Sequence, residues 1–415
     1  MRSTKTLVAF SGAVAMACAA SLFGGAGCSF SNSSGSNDGG PSGSSGAGSS
    51  GAGSSGGASS GGASSGSGSS SGSASSSGSA SSSGSASSSG SGGGTDAASD
   101  AGFCDTSANA SAGYTAVALA CGQTNPSGVA VHGGVVYWTN YTAGGTVMSV
   151  PETGGTPTVV ATNQDYPWAI AVDDNNVYWT NYDNPSAPEN GGATSSGAVM
   201  KVPLSGGTPV TLDQGLGEPW GIAIDASNVY YTNAGGGHVK SVPIAGGTVT
   251  TLASNQQTPV GIAVDGTNVY WANYGNSTIA ATAKGGGGGV SVLTTSNTAA
   301  YVETVAVNAT TLFFGSNDGS TTSVVASMPL AGSNSPTILA SGRDTVNAIA
   351  LDSNDVYWVE DDVNPQGNIS TLPLGGGNVT KLVSSVDYAS AIAVDATGLY
   401  YVASGSGRVW RLTPP

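Results

Sequence analysis

The sequence predicts an all-β fold, a seven-bladed β-propeller of four-stranded antiparallel blades. Three observations carry that expectation. An apolar run ending in Asp, a tight turn and a Tyr-Trp-type run recur seven times between Val129 and Tyr401. The anchors Tyr137, Tyr178, Tyr230, Tyr270, Phe313, Tyr357 and Tyr400 lie 41, 52, 40, 43, 44 and 43 residues apart, a spacing that suits one propeller blade per copy. Between the anchors there is no helical periodicity, only further short strands and turn residues.

Each unit opens with a short apolar run such as Ile170-Ala-Val172 or Ile222-Ala-Ile224, read as a strand buried on both faces. Asp173, Asp225, Asp265, Asp352 and Asp395 follow, with Asn308 in the fifth copy and His132 in the first. Asp and Asn there start the turn by hydrogen-bonding backbone two residues on, and His132 is expected to replace the Asp structurally. The aromatic, β-branched second strand comes next, as in Val177-Tyr-Trp-Thr180. A third strand ends in proline (Pro151, Pro203, Pro243, Pro329, Pro373), where no ladder donor is needed. The pairs Gly154-Gly155, Gly206-Gly207, Gly246-Gly247 and Gly375-Gly376 are expected to supply positive φ for a hairpin, and Gly285–Gly289 to be an expanded version. A fourth strand, such as Val249–Leu252, closes the unit.

The seventh copy stops after its third strand, near Leu412. In most units a leucine of the fourth strand precedes the next first-strand apolar residue by ten positions, as Leu212 precedes Ile222, and Leu119 precedes Val129 by the same ten. A strand at about 114–120 is therefore expected to complete the last blade from the other end of the chain, removing two sheet edges.

Residues 1–27 read as an export signal: Arg2 and Lys5 precede an Ala-rich apolar stretch too short and too broken by Gly and Ser to span a membrane. The stretch ends Gly25-Ala-Gly-Cys28-Ser29, which resembles a bacterial lipobox and implies that Cys28 is lipidated and, with Ser29 next, sorted to the outer membrane. Cys18 and an ordinary cleavage are the alternatives. Residues 28–102 form a Ser/Gly/Ala tether that can bury no apolar face, with a span of very roughly 45 Å. The propeller is expected over 103–415. Cys104 and Cys121 remain as a disulfide pair for an exported chain, closing a loop worth roughly 3 kcal/mol.

Losing residues 1–27 removes two of nine basic residues and no acid, so the net charge moves from −15 to −17. That balance excludes nucleic acid as a partner and leaves a lipid anchor as the membrane contact. A monomer is expected.

In a propeller, the loops feeding the first strands and those joining second to third strands share one face, and here they carry the aromatic and amide residues. Tyr166, Trp168, Trp220, Tyr182, Tyr274, Tyr301 and Tyr388 are the ligand-binding candidates, suited to stacking on a sugar or peptide. Trp138, Trp179, Trp271 and Trp358 read as wedges between blades, and Asn140, Asn181, Asn233 and Asn273 as loop-holding repeat residues. Glu360, Asp361 and Asp362 are the metal candidates, for Ca²⁺ or Mg²⁺; no other cofactor is implied. Catalytic candidates are few: His238 as a general acid or base, with Glu218 or Glu303 beside it.

The repeat resembles the YWTD propellers of the LDL-receptor type and a bacterial domain related to them. Tyr178-Trp-Thr-Asn181, the Val-Pro-x-x-Gly-Gly strand end and Pro-x-x-Ile-Ala-Val-Asp carry the resemblance from Val129 to Leu412. The Asp of that family is Asn here, and seven units stand where six are usual. The resemblance implies a binding module. A weaker similarity, in Gly-Ile-x-Val strands, is to streptogramin B lyases, which implies a metal-assisted His/Glu site that only His238 could serve. The expected function is therefore a non-catalytic binding or scaffold module of the bacterial envelope, contacting an envelope protein or glycan, on the periplasmic side or the cell surface of the outer membrane. A lyase or hydrolase, or a passive structural envelope protein, are the alternatives.

Overall fold

A computed structural model describes residues 109–182, 196–295, 301–317, 322–331, 335–361 and 367–415. Its strands form seven antiparallel sheets, one per repeat. Blade 1 holds Pro126–His132, Val135–Asn140, Gly145–Pro151 and Thr158–Gln164 in that order from one edge to the other. Blade 2 runs Pro167–Val172, Asn176–Asn181, Gly197–Pro203 and Val210–Leu216, and blades 3 to 6 repeat the plan from Pro219, Pro259, Tyr301 and Thr345. The first strands of successive blades touch all the way round, the seventh meeting the first, so they line the axis of a closed ring. Among the described residues the one helical element is a 3-10 turn, Tyr274–Asn276.

Ring closure follows the expected route. Thr115–Ala120 pairs antiparallel with Arg408–Thr413 and completes blade 7, with Ala118 opposite Trp410. One feature was not expected: Asn109–Ala110 adds a fifth strand to the outer edge of blade 6, against Val383 and Ser384. The Ser111 hydroxyl donates to the Lys381 carbonyl, so the lead-in chain clasps blade 6 before it fills blade 7. On the far side of the seam, Glu152 of blade 1 accepts from the hydroxyls of Tyr400 and Thr397 of blade 7, both at 2.8 Å.

The turn carboxylates do two jobs. Asp173 Oδ1 accepts from the backbone N–H groups of Asn175 (2.8 Å) and Asn176 (2.7 Å), the Asx geometry expected from sequence. Its other oxygen accepts from the Tyr178 hydroxyl at 2.9 Å. Asp225 with Tyr230, Asp265 with Tyr270 and Asp352 with Tyr357 repeat that bond. Where Asn308 replaces the Asp, Phe313 replaces the Tyr, so no buried hydroxyl is left without an acceptor.

Two details depart from the sequence reading. His132 does not imitate the turn Asp: Gly133 and Gly134, both at positive φ, make that hairpin, and His132 Nε2 meets Asp174 of blade 2 at 2.8 Å. In blade 6 the left-handed glycines are Gly376 and Gly377, not Gly375, because the turn starts three residues after Pro373 as it does after Pro151. The indoles of Trp138, Trp179, Trp271 and Trp358 are wholly buried, as wedges should be.

Tyr178→Phe should cost about 1 kcal/mol, and Asp173→Ala about twice that because three donors lose their acceptor. Urea denaturation at constant slope measures both; a neutral Asp173→Ala would remove the Asx turn from the account of the fold.

Candidate functional site

Two loop sets meet on one face through a repeated backbone bond. Asn125, Tyr166, Glu218, Thr258 and Tyr388, each the residue before a first strand, adopt φ of 52°, 49°, 55°, 51° and 49°. Their carbonyls accept from the N–H of Tyr141, Tyr182, Ala234, Tyr274 and Ser404, each the residue following a second strand, at 2.9 to 3.0 Å. A left-handed non-glycine residue is strained, yet one that recurs in five blades is a scaffold device rather than a mark of function. It brings Tyr141 and Tyr182 to the neighbourhood of Tyr166.

Every first strand also breaks register close to that end, for instance between Pro167 and Ile170 or between Val302 and Thr304. The residue two before the strand's central Val or Ile sits in this break: Ser127, Trp168, Trp220, Val260, Glu303, Asn347 and Ser390. Because first strands line the axis, these seven positions form a ring at its mouth on the loop-rich face. Three of them stitch the ring to the following blade. Ser127 donates to the Pro167 carbonyl (3.2 Å), Asn347 Nδ2 to Ala389 (3.1 Å), and Ser390 to Pro126 (3.3 Å). Trp168, Trp220, Val260 and Glu303 make no such bond, and they occupy consecutive blades, 2 to 5. The stitching there passes to Thr180 and Thr232, whose hydroxyls donate to the carbonyls of Trp220 (3.2 Å) and Val260 (2.7 Å).

Four of the seven sequence candidates converge in blades 2 and 3. Trp168 and Trp220 meet edge-on at 5.1 Å between centroids, and Tyr182 lies 5.7 Å from Trp220. Tyr166 joins through Tyr141, which sits 5.1 Å from Tyr166 and 4.9 Å from Trp168. Burial, followed by Tyr166, Glu218 and Asp165, pushes the Tyr141 hydroxyl up to about 12, so it stays a neutral donor. The indole N–H groups of Trp168 and Trp220 are buried without a hydrogen-bond partner.

That contrasts with the wedge tryptophans. Trp138, Trp179 and Trp271 donate to Gln123 (2.9 Å), Gln164 (3.1 Å) and Gln256 (3.0 Å), and the same glutamine oxygens accept from Asn140, Asn181 and Asn273. In blade 6 the pair is exchanged as a unit: Trp358 donates to Glu360, and Arg343 takes the glutamine position, 3.5 Å from Glu360. The glutamines were missed in the sequence, although each stands fifteen residues before its tryptophan.

Tyr274 and Tyr301 form a separate stack, 4.7 Å apart and 17° from parallel, with Tyr301 44% exposed. Glu303, only 3% exposed, accepts from Asn317 Nδ2 at 3.1 Å, and Asn317 in turn accepts from Thr345 of blade 6 at 3.2 Å. Burial raises the Glu303 carboxyl to about 7, against a partial opposing effect of the Asn317 bond. Tyr274 is raised by burial and then by the Glu303 charge.

The remaining candidates stand apart. Tyr388 is 40% exposed and makes no ring contact among the described residues. His238 opens the third strand of blade 3 opposite Asn233, its Nδ1 unpartnered; no hydrogen bond or ion pair joins it to Glu218 or Glu303. Glu360 points inward, held by Trp358 and Arg343, rather than outward at a loop tip; its carboxyl is raised by burial despite both partners. Asp361 ends the second strand of blade 6, and Asp362 lies outside the described residues. Among the described residues no three His, Cys, Asp or Glu side chains gather as a metal site would require. Cys121 follows the closing strand directly, while Cys28, Cys104 and the leader and tether fall outside the described residues.

No family model and no curated protein matches the sequence. Solved structures do resemble the fold. A streptogramin B lyase aligns with a TM-score of 0.60 at 15% identity, over 73% of this chain and 98% of its own. Virginiamycin B lyase from Staphylococcus aureus aligns at 0.59 and 14%, over 72% and 98%. At such identities the likeness is one of fold. Nidogen in its laminin complex, a YWTD-type propeller, aligns at only 0.44 and 16%, over 60% and 95%, too distant to bear on function.

Glu303 carries a pH prediction of definite sign. Its folded form holds a proton up to about 7, against 4.5 for the free carboxyl, so its contribution is complete at low pH and is lost as pH rises through that window. Glu303→Gln should therefore leave stability near pH 4 unchanged and raise it at pH 8, by up to roughly 3 kcal/mol. Equal effects at both pH values, read from denaturation curves, would contradict the burial argument.

Proposed function

We propose that the protein is an exported, lipid-anchored binding module of the bacterial envelope that takes a protein or glycan at the axial mouth of its loop-rich face. The observation that carries this reading is the pair of unpartnered indoles. The repeat gives the wedge tryptophans acceptors, and Trp168 and Trp220 depart from it at the ring positions where stitching has been handed to other residues. Buried donors without partners are costly, and an arriving carbonyl or hydroxyl would relieve them. With Tyr141, Tyr166 and Tyr182 they make a cluster of five aromatic rings, an apolar wall of the kind ligand sites use. In this reading Cys28 carries the lipid, residues 29–102 act as the leash, and a Cys104–Cys121 disulfide pins the lead-in chain to the closing strand.

A metal-assisted lyase or hydrolase is the second reading. It draws on the fold likeness to streptogramin B lyase and on Glu303, whose proton affinity suits acid–base work near neutrality. His238 stands without either glutamate as a bonded companion, which favours the binding module.

Thermal-shift titration of the protein with envelope extracts, glycans, Ca²⁺ and Mg²⁺ tests the choice. A ligand at a hundredfold excess over Kd stabilises by about 3 kcal/mol. Trp168→Phe and Trp220→Phe keep the rings and remove the N–H groups, so they should lose that shift while leaving the unliganded melting temperature unchanged or higher. A shift seen only with divalent metal, and abolished by His238→Ala, would favour the enzyme. For the anchor, Cys28→Ser should move the protein from the membrane fraction to the soluble fraction of cells; unchanged partition would remove lipidation at that residue.

A further inference from the structure

The axial ring divides unevenly. Ser127, Asn347 and Ser390 are spent on bonds to the next blade. The four that are not run consecutively round the axis as Trp168, Trp220, Val260 and Glu303. Close packing holds them in sequence: a Cβ on Gly221 would lie 2.5 Å from the Val260 carbonyl, and one on Gly261 2.5 Å from that of Glu303. Trp220 and Tyr274 pack into the same apolar cluster as Val260 and Val302, and Val302 immediately precedes the acid in its strand. We propose that this arc binds an organic cation, an apolar or aromatic body seated on Trp168, Trp220 and Val260 with its protonated amine on Glu303. The proposal rests on the binding-module reading and names the chemistry of what the mouth accepts.

Three features support it. Glu303 is an acid in the ring wall with a single hydrogen-bond donor, Asn317, and no cation beside it among the described residues. Three basic side chains of blades 3 to 5 are committed elsewhere: Arg343 to Glu360, Lys240 to Asp213 and Lys284 to Asp225. Indole and phenol faces attract cations through their quadrupole, most strongly where water is excluded, and Tyr301, stacked on Tyr274, stands two residues before Glu303 in the same strand. The chain also carries a net charge of −15, which draws cations towards it and repels anions.

Ligand binding must then be coupled to proton release. Burial and then the Glu303 charge push the Tyr274 hydroxyl up, so it stays a neutral phenol and the carboxyl is the group that changes charge near neutrality. Burial keeps the empty site protonated at lower pH, and an arriving ammonium stabilises the carboxylate.

Phenethylammonium is the probe, and 2-phenylethanol its uncharged counterpart; a lysine-containing hexapeptide asks whether the amine can arrive on a chain. Each is titrated into the protein by calorimetry and tryptophan fluorescence. Phenethylammonium should bind with an affinity that rises tenfold or more between about pH 5.5 and about pH 8, releasing a proton at the lower pH. Glu303→Gln keeps an acceptor for Asn317, should fold, and should abolish both the pH slope and the proton release. Trp220→Ala should weaken binding at both pH values without removing the slope, its folding checked by its denaturation curve. Binding of the peptide in the same pH-dependent way would assign the cation to a polypeptide partner; binding of phenethylammonium alone would assign it to a small molecule. Equal binding of 2-phenylethanol, or a slope that survives Glu303→Gln, would overturn the cation and leave the module. Failure of all three probes beside a Trp220-dependent shift with envelope extract would likewise overturn this inference alone. Failure of the probes and of that shift together would overturn both.

Discussion

Everything in this molecule depends on closing a ring of seven sheets, and the interaction that closes it lies at the inner end of each blade. Where the first strands of blades 2, 3, 4, 7 and 1 break register, a carbonyl is met by a donor from the blade before. Thr139 reaches Trp168 (2.6 Å), Thr180 reaches Trp220, Thr232 reaches Val260, and Ser390 reaches Pro126 and Ser127 across the closing seam. Each bond is worth about 1 kcal/mol net, but the alternative is a buried carbonyl without a donor, which costs more than the bond supplies. The closing strand Thr115–Ala120, the clasp on blade 6 and the Glu152 latch serve the same end, since a propeller left open would expose two sheet edges.

The same constraint explains how the repeat varies. Substitutions at its bonded positions come in compensating sets. Asn308 arrives with Phe313, Arg343 with Glu360, and in blade 3 the wedge is Tyr231, whose hydroxyl finds Asp213 at 2.5 Å with Lys240 beside it. Each set keeps buried donors and acceptors matched. Trp168 and Trp220 are exceptions, because their buried N–H groups have no acceptor, and their side chains take no part in the bonds that close the ring. A local mismatch in an otherwise consistent repeat is where function is expected to sit.

Much of this was legible in the residues. The 40-odd-residue period fixed seven blades, the ten-residue offset from Leu119 to Val129 located the closing strand, and the aromatic loop-rich face put Trp168 and Trp220 among seven ligand-binding candidates. What stayed hidden involves pairs distant in sequence or decided by burial. Nothing local marks Gln123 as an indole acceptor, although its spacing from Trp138 recurs for Gln164 and Gln256. Glu360 read as one of three metal candidates, because its turn inward depends on Arg343 seventeen residues earlier. Glu303 read only as a possible companion of His238 until the strand break placed it on the axis, where burial rather than any charge partner raises its carboxyl. The extra strand at Asn109–Ala110 is only two residues long, too short for an alternation to show in the sequence.

The central claim is that two tryptophans of this repeat are held for a ligand while the wedge tryptophans are held for the fold. Indole N–H signals in a ¹H–¹⁵N spectrum report the two groups separately. On addition of envelope extract, or of the cation proposed for the arc, the signals of Trp168 and Trp220 should move while those of Trp138, Trp179, Trp271 and Trp358 stay in place. Movement of the wedge signals with Trp168 and Trp220 unchanged would contradict the account.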